Sequence, residues 1–312
     1  MQSLRITIEP ESAFGTPLKG DTLFGQICWM LFETKGQQAL ENALQGYTNN
    51  QPFLICSDGF PSGYLPRPEY PLAIYNQING DRKQIKKRQW ISLDQLSQPV
   101  ETWLGLYQSD KDIINHAFSE QHMQQHNSIN RKTGTTGEEG FAPYQMSQHW
   151  YADGLKLDIW LLIDEQKLST ETVIQLLENV GATGYGRDAS IGLGKFTVSD
   201  SIVESLYKTE NANTLITLAP SVLSGQHVNT EKTYYSIFTR FGRHGGQAIA
   251  KQKPFKNPVL MANTAAVVVP EKMHDQPYIG KGLGGSGELS KVIPATVQQA
   301  YAPCIKIHHQ GL

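Results

Sequence analysis

The residues of this chain best placed to do chemistry lie in glycine-rich stretches and basic runs, not in a set of carboxylates or thiols. The stretch Gly184-Tyr185-Gly186-Arg187-Asp188-Ala189-Ser190-Ile191-Gly192-Leu193-Gly194-Lys195-Phe196 holds four glycines with Arg187 and Lys195 beside them. Glycine leaves backbone N–H groups open and tolerates φ > 0, and the two cations add charge, which suits a loop approaching a phosphodiester backbone. The order G-x-x-x-x-G-K-[ST] is missing, so this is not a nucleotide P-loop. A glycine-rich turn joining a helix to a strand is equally a structural device, and both readings stay open on spacing alone. In a second stretch, Ile279 to Gly287, Gly280, Gly282 and Gly285 match G-x-G-x-x-G. The dinucleotide fingerprint needs a strand before it and a helix after it, and Pro294 leaves little room for that helix. A backbone loop without a cofactor is expected there.

Histidines are the remaining acid–base candidates. His116, His122, His126 and His149 fall in one irregular region and His244 in a basic one; a ribonuclease would need one of them beside a scissile 2′-OH. His122 and His126 have the i, i+4 spacing of a metal pair, yet no nearby Cys or acid completes four ligands. Cys28, Cys56 and Cys304 form no C-x-x-C pair, so neither disulfides nor a zinc knuckle are expected. The expectation is therefore no catalytic site, no metal and no cofactor.

Charge distribution says more than its sum. A formal net charge of −2 argues against indiscriminate nucleic-acid binding. Yet no Asp or Glu lies between Glu231 and Glu271, while Lys232, Arg240, Arg243, Lys251, Lys253 and Lys256 do. A second cluster gathers Arg82, Lys83, Lys86, Lys87 and Arg88 next to Trp90. Each run alone could be a solvated face.

The elements that must hold these residues follow from periodicity. Residues 3–9 alternate as a strand, a loop carries Gly15, Pro17 and Gly20, and Asp21 is placed as the N-cap of a helix burying Leu23, Phe24, Ile27, Cys28, Leu31 and Phe32. A short strand at 53–56 follows. From Ser57 to about Asp153 the chain reads as a long irregular insertion with one apolar helix, Val100 to Tyr107. Regularity returns with a strand at 155–163, a helix from Ser169 and Thr170 that Gly181 should end, and a strand from Lys195 to Ser199.

That order is the split βαβ pattern of a ferredoxin-like domain. Segments 214–219, 233–241, 259–269 and 304–308 are the β-rich parts of a second unit. The fold expected is α+β, with two ferredoxin-like (RRM-like) domains: 1–200, carrying the insertion at about 57–153, and 201–312. The usual RNP1 sequence is absent, which favours a loop-mediated grip on RNA over stacking on a sheet face.

The 312 residues, 39% hydrophobic and 18% charged, have an ordinary globular composition and no solenoid repeat. The start, MQSLRITIEP, is neither a signal peptide nor a membrane anchor, so a cytoplasmic location is expected.

Five segments carry a resemblance: FGTPLKGDTLFGQICW (14–29), CSDGFPSGYLPRP (56–68), HNSINRKTGTTGEEGFAPY (126–144), GYGRDASIGLGKF (184–196) and RFGRHGG (240–246). Together and in this order they resemble the RAMP superfamily, specifically the family of the fourth Csm subunit in type III-A CRISPR effector complexes. The resemblance spans most of the chain and is least distinct after about Val269.

The resemblance implies a non-catalytic subunit that caps the repeat-derived 5′ handle of the crRNA. Its implied partners are the large signalling subunit, the backbone RAMP subunits and a target RNA duplex, against which a β-hairpin from the insertion would wedge. Matched motif by motif, the handle-binding candidates are Lys19, Gly184, Gly186, Arg187, Ser190, Gly192, Gly194 and Lys195. Asn127, Asn130, Arg131 and Lys132 match the insertion motif, and Arg240 and Arg243 the second-domain basic turn. Two alternatives within the superfamily are an endoribonuclease that processes crRNA and the equivalent handle-binding subunit of a type I complex. A pure protein scaffold is a third.

Overall fold

Alternation in QSLRITIEP sets a fully buried row, Leu4, Ile6 and Ile8, against Arg5, Thr7 and Glu9, and the segment forms strand β1, Gln2–Pro10. In the computed structural model, which describes residues 1–74, 82–137, 141–244 and 255–310, helix α1 (Gly20–Lys35) and helix α2 (Gln37–Leu44) follow. Then come β2 (Leu54–Pro61), β3 (Tyr64–Pro66), α3 (Arg82–Lys87), β4 (Trp90–Ser92), α4 (Trp103–Leu106) and α5 (Asp110–Ile114). They lead to β5 (Ser119–His126), β6 (Tyr144–Tyr151), β7 (Leu157–Ile163), α6 (Thr170–Thr183) and β8 (Phe196–Val203). The rest of the chain supplies β9 (Thr214–Thr217), β10 (Ile237–Arg240), β11 (Val259–Ala262), β12 (Val267–Val268), β13 (Tyr278–Gly284) and β14 (Val297–Ile307).

The architecture is mixed, with helices and several small antiparallel sheets. The first four-stranded sheet has the order β2-β7-β1-β8, with every neighbouring pair antiparallel. Its helices α1 and α6 connect β1 to β2 and β7 to β8. Leu23, Phe24, Ile27 and Leu31 of α1 and Val173, Leu176, Leu177 and Val180 of α6 are buried. The second four-stranded sheet has the order β12-β9-β14-β13. Among the described residues no helix follows Val203, so the paired βαβ units of the ferredoxin-like domain expected over 201–312 are not seen in them.

One apolar cluster serves both sheets: Ile216, Leu218, Val267, Tyr278, Tyr301 and Ile305 pack with Leu4, Ile6, Phe24 and Tyr47. Among the described residues no helix is long and apolar enough to cross a membrane.

Several local expectations are corrected. Gly181 does not end α6: a Cβ there would lie 2.2 Å from the carbonyl of Phe196, so glycine lets the helix lie close on β8. The helix runs on to Thr183 and is capped by Gly184, while Ser169 accepts from Thr172 N–H at its start. The insertion is more regular than it reads. β2 extends into it, β3 pairs with β4, and β5 and β6 form a long hairpin; Val100–Tyr107 is only a 3-10 turn followed by the short α4.

The G-x-G-x-x-G stretch is not a loop but largely strand β13, paired with β14. A Cβ on Gly282 would lie 2.5 Å from the Tyr47 carbonyl, and one on Gly280 would lie 2.2 Å from that of Ala300. These glycines admit a close approach of backbones, a packing role rather than a ligand role.

Candidate nucleic-acid interface

The N-terminal loop before α1 and the glycine-rich loop after α6 fold against each other as one unit. Ala13 C=O accepts from Gly194 N–H at 2.7 Å, Ser12 Oγ from Lys195 N–H at 2.9 Å, and Thr16 Oγ1 from Arg187 N–H at 3.0 Å. The buried Tyr185 hydroxyl sits at the centre, accepting from Lys19 N–H and donating to the Pro17 carbonyl, both at 3.0 Å. Burial pushes its phenol pKa far up, so it stays protonated and able to donate. Phe14 fills the space beneath, edge-on to Tyr151 at 5.1 Å and against Tyr185 at 5.9 Å.

The candidate glycines divide by role. Gly184, Gly186 and Gly194 have φ of 101°, 79° and 75°, and a Cβ on them would meet Leu193, Thr16 and Tyr185 within 3 Å. They shape the loop. Gly192 also has positive φ, at 96°, but faces open space, and Ser190, Ile191 and Lys195 around it are exposed. At the loop tip Ser190, Ile191 and Lys195 are thus the side chains accessible to a ligand. Arg187 is partly spent on protein contacts, because its Nη2 donates to the Ser147 carbonyl on β6 and its Nε to Asp188 at 3.1 Å.

A second polar cluster lies on the other side of Tyr185. Lys19 Nζ meets Asp58 Oδ2 at 2.7 Å and Thr264 Oγ1 at 3.2 Å, and Gly20 N–H donates to Asp58 Oδ1 at 2.8 Å. Asp21 is not the N-cap of α1, which begins at Gly20; its carboxylate receives two bonds from Arg240. The Phe238 ring lies 5.5 Å from Lys19 Nζ and 4.8 Å from the Arg240 guanidinium. Lys19 and Arg240 are therefore tied to carboxylates inside the protein.

No family model matches the sequence, and no curated protein matches it in sequence. Solved structures do match in fold. A chain of the Csm3–Csm4 subcomplex in the type III-A CRISPR-Cas interference complex aligns with a TM-score of 0.61 at 13% identity, covering 99% of this chain and 100% of that one. A chain of the Csm1–Csm4 cassette in complex with pppApA gives 0.59 at 12% identity over 99% of each chain. Csm4 is common to both assemblies. The chain has the Csm4 fold.

Within this Csm4-like fold the motifs that carry the resemblance largely converge: 14–21, 56–60, 184–196, 238–243 and the base of the β5–β6 hairpin are neighbours. The bridge between Phe14 and His149 anchors that hairpin to the N-terminal loop. Asn127, Asn130, Arg131 and Lys132 lie apart, just past the end of β5. There Asn130 accepts from Lys132 N–H at 3.0 Å and pairs with Thr135, and Asn127, Arg131 and Lys132 are exposed.

Arg243 is exposed and lies 5.9 Å from the Phe255 ring. In the other basic run Lys83, Lys86, Lys87 and Arg88 are exposed, but Ile85 between them is buried and its carbonyl accepts from Arg67, so this short helix is also structural. Lys251, Lys253, Gly245 and Gly246 lie outside the described residues.

Sequence reasoning missed Asp58, Thr16, Thr264 and Phe238. The two adjacent acidic positions in KGD and CSDG carried a signal, since buried carboxylates require cations, but the partners are remote in sequence.

Proposed function

We propose that this chain is the non-catalytic, Csm4-type subunit of a cytoplasmic type III-A CRISPR ribonucleoprotein, holding the 5′ handle of the crRNA beside the large signalling subunit and the backbone RAMP subunits. The observation that carries the reading is the full-length likeness to Csm4 in two assemblies with different partners. The strand order β2-β7-β1-β8 with α1 and α6 supports a ferredoxin-like RAMP domain over 1–200. The loop tip at Ser190 to Lys195 is the handle contact, offering the exposed side chains of Ser190 and Lys195, a hydroxyl and a cation. The exposed β5–β6 hairpin is the element that reaches the guide–target duplex.

Three of the five candidate histidines have contacts within the protein. His244 is buried with Nε2 2.8 Å from Ser290 Oγ, His126 stacks on Tyr144, and His122 meets Glu120 at 3.3 Å. Co-expression with the other subunits of the complex and sequencing of the retained RNA test the reading. Protected RNA with a repeat-derived 5′ handle is expected. RNA without a handle would overturn it, and site-specific cleavage of repeat RNA lost in His244→Ala would favour the processing nuclease.

A further inference from the structure

Antiparallel ribbons ordinarily turn their apolar row inward and their polar row to water. The β10–β11 ribbon carries large apolar residues on both rows: Phe238 and its partner Met261, 3% exposed, face inward, and a second apolar set faces water. On its inner row Ser236 Oγ donates to Glu69 Oε1 at 2.9 Å, Phe238 lies between Lys19 and Arg240, and Arg240 holds Asp21. The alternate residues Tyr235, Ile237 and Phe241 are 51%, 68% and 70% exposed. Across the ladder Thr239 pairs with Leu260, which shares the outer face and is 64% exposed. Phe255, bridged to Arg243, is 66% exposed with the Arg243 guanidinium 5.9 Å from its ring.

Leaving five large apolar side chains in water on one small ribbon is unfavourable unless something covers them. The charge of the segment says what. No acid occurs from Lys232 to Pro270; Arg240 is neutralised by Asp21 and Glu69 is taken up by Ser236 on the inner row, so the exposed Arg243 is the charge that the outer row presents, and it favours a polyanion. Three of the five side chains are aromatic and one carries a guanidinium at its ring, the combination that holds unpaired bases and their phosphates. Beside Tyr235 opens a cleft of about 420 Å³ lined by Glu69, Tyr70, Pro71 and Thr233, with room for an unstacked base.

We propose that the outer face of the β10–β11 ribbon is a stacking platform for single-stranded RNA, on which Tyr235, Phe241 and Phe255 receive bases and Arg243 meets phosphate. The proposal rests on the reading of the chain as an RNA-holding subunit and adds a contact separate from the glycine-rich loop.

The test is fluorescence anisotropy of the full chain with a labelled single-stranded RNA oligonucleotide of mixed sequence. The double variant Phe241→Ala, Phe255→Ala should weaken binding by about tenfold or more, with an unchanged unfolding midpoint because both rings are exposed. Phe241→Tyr with Phe255→Tyr keeps the rings and should keep the affinity. If the alanine variant binds as wild type while Lys195→Glu loses affinity, the platform is wrong and the RNA reading stands. If the alanine variant keeps its RNA affinity but no longer enters the complex, the face belongs to a protein subunit and the proposal falls. If the wild-type chain binds no RNA, alone or assembled, the functional reading itself fails.

Discussion

Arg240 grips Asp21 with two charge-assisted bonds, Nε to Oδ2 and Nη2 to Oδ1, each 2.6 Å, across 219 residues of sequence. The Asp21 side chain is only 2% exposed. Burial acts to lower the Arg240 pKa, and the bonds and charge of Asp21 outweigh it, so the guanidinium is held more firmly charged than usual.

Breaking this pair from one side strands a buried charge. Asp21→Asn or Arg240→Met should each lower stability by about 3–5 kcal/mol, read from urea midpoints at constant m-value. The double variant should cost clearly less than the sum of the two. Strict additivity would show that the pair is not coupled.

Lys195 is exposed, its backbone is fixed by Ser12, and among the described residues no carboxylate pairs with its ammonium. Lys195→Glu should lower the salt slope of RNA binding by about 1 and leave the unfolding midpoint unchanged. Arg187→Glu should weaken both binding and stability, because it also releases the Ser147 carbonyl. Equal unfolding midpoints for the two variants would contradict this division of roles.

The loop glycines should rank by what surrounds them. Gly192→Ala suffers only from its positive φ, a cost of about 1–3 kcal/mol. Gly194→Ala adds a Cβ 2.1 Å from the Tyr185 carbonyl, so it must also open the loop. Thermal unfolding should place Gly194→Ala well below Gly192→Ala, and the reverse order would refute the assignment.

Acid should destabilise the fold through three histidines. Burial lowers the pKa of His244, His274 and His309 from 6.5, reinforced by Lys256 at His244 and Lys306 at His274. In the pH range below 6.5 the unfolded chain binds protons that the folded chain refuses, so stability is complete above that range and falls as pH drops through it. The urea midpoint should decline from about pH 7.5 to about pH 5, with a shallower decline in His244→Asn. A flat profile for the wild type would exclude this linkage.

Legibility of the fold tracked local periodicity. β1, α1 and α6 were readable because each buries one clear row of apolar side chains, and β7 because LDIWLLI is a nearly continuous apolar run, buried throughout. The β5–β6 hairpin was not, because β5 is almost entirely exposed and SEQHMQQH shows no alternation. β13 reads as a loop because glycine disfavours strands, and the close approach of Tyr47, Ala300 and Thr296 that requires its glycines is not visible in the sequence.

The candidate site was legible as a set of motifs but not as a division of labour. Lys19 and Arg240 read as free cations in the sequence, but Asp58 and Asp21 hold them in the fold.

Gln299 of β14 plays the part of a missing strand. Its Oε1 accepts from Cys56 N–H at 2.8 Å and its Nε2 donates to the Cys56 carbonyl at 2.7 Å, closing the open side of β2, which is the outer strand of its sheet. A ribosome makes Gln299 243 residues after Cys56, and Thr264, which bonds to Lys19 and Asp58, also comes late. Contacts this distant in sequence form slowly. The motif at 14–21 can meet 184–196 once the first sheet is made, but its Lys19 and Asp21 end gains Thr264 and Arg240 only when the later part of the chain docks. Prematurely ended chains would lack that support, so under the proposed function they would hold a guide RNA less well than chains that have reached β14.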